Sequence, residues 1–181
     1  MKRRTLRMAM AALLVCGAAG LAQATVVLNL ELEDLAQIAP VVVLGEVNQV
    51  ASERSPDGKR IHTRVLVTPS EVWKGSDVKG TISVKFVGGS DGDVTAHLPG
   101  APRFAVGERV LLFLEPRQDK DGYLTLGFYQ GKFSVATDPR TKQELLLRDA
   151  PEAGVSVITG PAGKSRDRVR TLDEARALFA K

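Results

Sequence analysis

RIHTRVLVTPSEVWKG, residues 60–75, decides how the chain is read. Ile61, Thr63, Val65 and Val67 fall at every second position, with His62, Arg64 and Leu66 between them. A period of two is that of a β-strand with one face on a core. Pro69 has no amide hydrogen, so it marks an edge, a bulge or a break in the ladder. The run continues irregularly to Val72 and Trp73, and Lys74-Gly75 opens a polar turn. Trp73 is the only tryptophan. An indole at the end of a strand is read as a cap on the core, buried or half-buried. Lys74 and Lys79 are then the more accessible members of the stretch.

The neighbouring segments follow the same grammar. VVVLGEVNQV, residues 41–50, is dense in β-branched residues, with Gly45 at an expected bulge or bend. Between the two runs, SERSPDGKR (52–60) holds the turn signal Pro56-Asp57-Gly58, so a hairpin is expected. In TISVKFVGG (81–89), Ile82, Val84 and Phe86 share one face and Ser83 and Lys85 the other. GERVLLFLEP (107–116) is a fourth strand, and YLTLGFYQGKFSVATD (123–138) supplies two more around Gly127 and Gly131. In an extended segment Phe128 and Tyr129 face opposite ways, which leaves Tyr129 or Tyr123 for the surface beside Lys132 or Lys85. GVSVIT (154–159) is a last short strand.

Helical spacing occurs twice. In NLELEDLAQIA (29–39), Leu32, Leu35, Ala36 and Ala39 form a stripe capped by Asn29 and ended by Pro40. In TLDEARALFAK (171–181), Thr171 and Glu174 have capping-box spacing ahead of Leu172, Ala175, Leu178 and Phe179. The predicted fold is mostly β, an OB-like closed five-stranded β-barrel with flanking short helices. The predicted organisation is a signal peptide over 1–24, the barrel domain with its N-terminal helix over 25–148, and a C-terminal extension with a short helix over 149–181.

The leader reading rests on Lys2, Arg3, Arg4 and Arg7, then an apolar stretch from Met8 to Leu21, then Ala22-Gln23-Ala24. That order is a secretory signal with the mature chain starting at Thr25. The apolar stretch is shorter than the roughly 20 residues that span a bilayer, so no stable membrane insertion is expected after cleavage. Cys16 follows Leu13-Leu14-Val15, without the small residue that a lipidation signal places before its cysteine. With cleavage after Ala24 the only cysteine leaves, excluding disulfides, thiolate zinc sites and cysteine nucleophiles. Cleavage also takes four of the 25 basic residues and none of the 21 acidic ones. The two classes become equal, which argues against nucleic-acid binding.

SDGDVTAHLPGAPR, residues 90–103, has no period and is read as the longest surface loop, the place to look for specificity. Asp91, Asp93 and His97 are the residue types of a cation site, but SDGD lacks the ordered ligand series of a calcium loop and one histidine is thin support for zinc. Ser90, Asp93 and His97 are the types of a nucleophilic triad, without a nucleophile elbow. GPAGKS (160–165) ends like a phosphate loop but has Ile158 where the first glycine belongs. Lys164, Arg166, Arg168 and Arg170 form a short basic run, read as a solvated face. No cofactor is implied.

VVVLGEV (41–47), RIHTRVLVTPSEVWKG (60–75), TISVKFVGG (81–89), PRFAVGERVLLFL (102–114) and YLTLGFYQGKFSV (123–135) together resemble uncharacterised exported bacterial proteins with this order of strands. More distantly the layout is similar to the netrin-like domain of tissue inhibitors of metalloproteinases, an OB-type barrel. What that resemblance implies is fold more than activity. Those inhibitors act through an N-terminal cysteine, and here Thr25 stands at the expected mature start. Inhibition through a different loop stays open.

The expectation is therefore an exported, non-enzymatic binding module, periplasmic or secreted, that engages an envelope or secreted protein and no nucleic acid. Its expected interaction surface is Lys74, Lys79, Asp91, Asp93, His97 and Arg103. An inhibitor or accessory factor of an extracellular hydrolase is the alternative, and a hydrolase built on Ser90, Asp93 and His97 the third reading.

Overall fold

The computed structural model describes residues 25–153, 155–158 and 169–180. The leader, GPAGKS, and Lys164, Arg166 and Arg168 lie outside them. Along the chain run β1 (Thr25–Leu28), α1 (Leu32–Ile38), the long strands β2 (Val41–Arg54) and β3 (Ile61–Lys74), and β4 (Ile82–Val87). The short β5 (Gly89–Ser90) and β6 (Thr95–Ala96) precede β7 (Arg109–Pro116) and β8 (Tyr123–Thr125). A 3-10 turn (Phe128–Gly131), β9 (Lys132–Thr137), β10 (Glu144–Arg148), β11 (Val155–Ile158), β12 (Arg170–Thr171) and α2 (Leu172–Ala177) complete the order.

Five strands close a barrel. β2 pairs with β3 and β3 with β4, antiparallel. β4 meets β8 in parallel at Val84 and Tyr123, β8 pairs antiparallel with β7, and β7 returns to β2. This is the OB-like closed five-stranded barrel expected from the sequence. β9 takes over the edge of β7 that β8 leaves, and β10 and β12 extend that wing. No helix among the described residues is long and apolar enough to cross a membrane.

The unbroken apolar runs of β2 and β7 have a physical reason: both strands are buried on both faces. Val41, Val43, Val47, Val110, Leu112 and Leu114 point into the barrel with Val65, Val67, Ile82 and Val84. The residues between them, Val42, Leu44, Leu111 and Phe113, face a second core beneath the helices, with Leu32, Leu35, Leu172 and Ala175. Phe113 is fully buried and meets Phe133 edge-on at 5.9 Å. Truncating such a side chain typically costs about 3–5 kcal/mol.

The long β2–β3 hairpin bends to fit the barrel. Its register shifts between Leu44 and Gly45, with Gly45 opposite Pro69, the two residues whose chemistry marks a bulge. A Cβ on Gly45 would lie 2.6 Å from Thr68 O, so the close crossing requires glycine.

Trp73 is half-buried and packs against the second core. Its Nε1 donates to Glu71 Oε2 at 2.8 Å, and its ring lies 5.5 Å from Phe179 and 5.6 Å from the Arg176 guanidinium. Arg176 Nη2 donates to Glu71 Oε1 at 3.0 Å. The indole is thus the dock for α2, whose Thr171–Glu174 capping box forms as expected.

Two local expectations are corrected, and one strand was not expected. α1 is capped at Glu31 rather than Asn29, because the Asn29 amide donates to Glu31 Oε1 and the Glu31 amide is satisfied by Asp34. Phe128 and Tyr129 lie in a 3-10 turn, not an extended strand, so Tyr129 is buried and Phe128 exposed. β1 was hidden from sequence periodicity: it pairs in parallel with β11, residues 25–28 against 155–158.

Candidate functional site

The 88–108 connection between β4 and β7 packs on the barrel, with β5 against β2 and β3 and Phe104 against the barrel core. A polar seam fixes its start. Thr63 Oγ1 donates to Gly88 O at 2.8 Å, Ser52 and Thr63 hydroxyls meet at 3.1 Å, and Ser90 N donates to Ser52 Oγ at 3.2 Å. Gly89 has φ +124°, and a Cβ there would collide with the Ser52 and Thr63 hydroxyls. β5 and β6 then form a two-pair hairpin, Gly89 with Ala96 and Ser90 with Thr95.

The connection's far end is pinned beneath. Phe104 stacks on Phe86 at 6.1 Å and lies 5.7 Å from Lys132 Nζ. Lys132 is almost wholly buried and donates to Glu108 Oε1 at 2.6 Å and Ser134 Oγ at 2.8 Å. Burial alone would raise the Glu108 carboxyl, yet the Lys132, Ser134 and Ala105 hydrogen bonds hold it below its ordinary range. A charged pair anchors the segment just past the loop.

His97 and Arg103 converge on Glu152. Arg103 Nη2 donates to Glu152 Oε1, and His97 Nε2 lies 2.9 Å from Glu152 Oε2 without the alignment of a hydrogen bond. The His97 and Arg103 side chains are 64% and 71% exposed, while that of Glu152 is 16% exposed. Beside them is an open cleft of about 140 Å³, bordered by Phe86, Gly89, Leu98 and Pro102. Small-molecule pockets usually run to roughly 300–1,000 Å³. This one is about the size of a single side chain.

The other expected residues separate. Asp91 accepts from Val94 N at 3.0 Å and from Arg54 Nε at 2.7 Å, which hold its carboxyl below the ordinary range. It therefore braces the hairpin. Asp93 is exposed at the hairpin tip. Lys74 is half-buried, with Nζ donating to Ala36 O at 3.3 Å and Gln37 O at 3.0 Å at the end of α1, so it is less accessible than expected. Lys79 is exposed in the β3–β4 turn. That turn and the long connection leave opposite ends of β4, a strand of six residues and so roughly 20 Å long. Lys74 and Lys79 do not join His97 and Arg103.

Among the described residues no three or more His, Cys, Asp or Glu side chains gather as a metal group. The Ser90 hydroxyl accepts from Thr95 Oγ1 and Gly92 N, while His97 is turned to Glu152, so the three triad candidates are not hydrogen-bonded as a triad. Glu152, the residue that organises the site, was not singled out from sequence. Its pairing with Arg103 spans 49 residues, and nothing local to PEAG signals it.

Compared with known proteins, the chain matches no family model and no curated sequence.

Proposed function

We propose that the protein is an exported, non-enzymatic interaction module, periplasmic or secreted, which binds an envelope or secreted protein through residues 90–103. One observation carries this reading: Glu152 pairs with Arg103 and lies 2.9 Å from His97, while both side chains are mostly exposed next to a cleft sized for a side chain. Side chains oriented on a rigid barrel lose little freedom on binding, which is what a recognition surface needs. The test is affinity capture from the native envelope and secreted fractions, using protein beginning at Thr25 and its His97→Ala/Arg103→Ala variant. Loss of a reproducible partner in the variant supports the site. Unchanged recovery counts against it.

The hydrolase-inhibitor reading has one favourable observation. β1 pairs with β11, and Val155 of β11 lies against Gly100 of the long connection, so the N-terminal strand and the loop share one side of the molecule. A panel of exported metalloproteases would test it, and absence of both inhibition and complex formation would sink it.

A further inference from the structure

The place where β1 begins bears on how the chain is processed. Its first residue, Thr25, is the one that the leader reading puts directly after the cleaved bond, and its backbone is already paired, opposite Val155 of β11. The two strands form an apolar parallel ribbon that runs in register to Leu28 and Ile158, and Asn29 N donates to Ile158 O at 3.0 Å. Val27 is buried, and Gln130 takes up Leu28 O and Leu30 N. Val26 and Leu28 turn exposed side chains outward. A peptidase, however, needs the backbone on either side of the bond to be free, and here the backbone that follows it is held.

Sequence distance sets the order of events. Residues 25–28 pair with residues 155–158, so the ribbon closes only when nearly the whole chain is available, and contacts of such separation are slow to form. Until then β1 lacks its partner strand and the bond ahead of it is open.

Resting on the export reading, we propose that the 24–25 bond is a processing site open in the unfolded chain and shut by closure of the β1–β11 ribbon. A signal peptidase adds water across that bond, leaving a carboxylate on Ala24 and an ammonium on Thr25. In the folded precursor the same attack requires β1 to lift from β11 and from Gln130, so its rate follows the small population of the opened state. Cleavage therefore precedes the ribbon, and a chain that folds first keeps its leader.

The test uses the full chain in mild detergent with a purified signal peptidase, and mass spectrometry reads the fraction cut after Ala24. Three forms are compared, each checked for folding by the fluorescence of Trp73. They are the folded precursor, a Phe113→Asp chain unfolded by a charge in the second core, and a folded precursor with a short Ser-Gly spacer between Ala24 and Thr25 that moves the bond away from the ribbon. The folded precursor should be cut roughly tenfold or more slowly than the Phe113→Asp chain, the least expected from losing the hydrogen bonds that hold β1. The spacer form should be cut as fast as the Phe113→Asp chain, and Gln130→Leu should speed the folded precursor toward that rate. Equal rates for the folded precursor and the Phe113→Asp chain, or a spacer form as slow as the folded precursor, overturn the proposal and leave the export reading in place. A Phe113→Asp chain that is not cut after Ala24 removes the leader reading itself, and the proposal with it.

Discussion

Gln130 accepts a hydrogen bond from Leu30 N at 2.8 Å across one hundred residues of sequence, and its own Nε2 donates to Leu28 O at the same distance. The amide is 1% exposed and does for this connection what a neighbouring strand would do. It ties β1 to the 3-10 turn and so fixes the apolar ribbon beside the candidate site.

Gln130→Leu preserves approximate volume but orphans two backbone groups, and the expected loss is roughly 2 kcal/mol of unfolding free energy. Urea denaturation measures it, and amide exchange at Leu30 should accelerate more than exchange in β2. An unchanged midpoint would show that Gln130 is not the clasp.

Acid should release the C-terminal helix before it unfolds the barrel. The hydrogen bonds from Arg176 and then Trp73 hold the Glu71 carboxyl below its ordinary 4.5. A depressed carboxyl contributes stability that is present above pH 4.5 and is lost as pH falls through the folded value. Tryptophan fluorescence against pH follows it directly, since the only indole sits in the dock. Glu71→Gln should flatten the acid limb of that curve, and a limb unchanged by the substitution would contradict the assignment.

Removing one partner of the buried Lys132–Glu108 pair should cost more than removing both. Lys132→Met leaves the Glu108 carboxylate without its cation, with an expected loss of about 3 kcal/mol. The double variant Lys132→Met/Glu108→Leu should recover a large part. Additive losses in a double-mutant cycle would mean that the two charges do not act as a pair.

Gly89→Ala should disturb the hairpin more than Gly92→Ala. Both glycines have positive φ, but a Cβ at Gly92 meets open space while one at Gly89 strikes the Ser52–Thr63 seam. Backbone strain alone is about 1–2 kcal/mol for an L-residue in the left-handed region. Thermal melts of the two variants separate the steric part, and equal melting temperatures would remove the seam as the constraint.

The barrel was legible because its signals are local. Ile61, Thr63, Val65 and Val67 alternate inward as their spacing implies, and Gly45 meets Pro69 at the bulge each one separately suggests. Trp73 read correctly as a core cap because a large side chain at a strand end has few other places to go. The pairing of β1 with β11 was not legible, since it joins segments about 130 residues apart and neither carries a period long enough to announce a strand. The same reason hid Glu152. His97 and Arg103 were visible as chemistry-bearing residues, but their grouping depends on a distant carboxylate, and Lys74 looked accessible because nothing in its neighbourhood reveals that α1 ends above it. Tyr129 and Phe128 exchanged roles because a turn replaced the assumed extension, with Gly127 at φ +63° turning the chain into it.

If residues 90–103 carry the binding surface, site-specific photo-cross-linking in the native cell will capture the partner there. The photoreactive residue is placed at His97 or Arg103, and at Lys120 in the β7–β8 turn or Lys142 in the β9–β10 turn for comparison. The expected result is one protein partner captured from positions 97 and 103 and none from 120 or 142. A partner captured from 120 or 142 with none from 97 or 103, or no cross-link from any position, would contradict it.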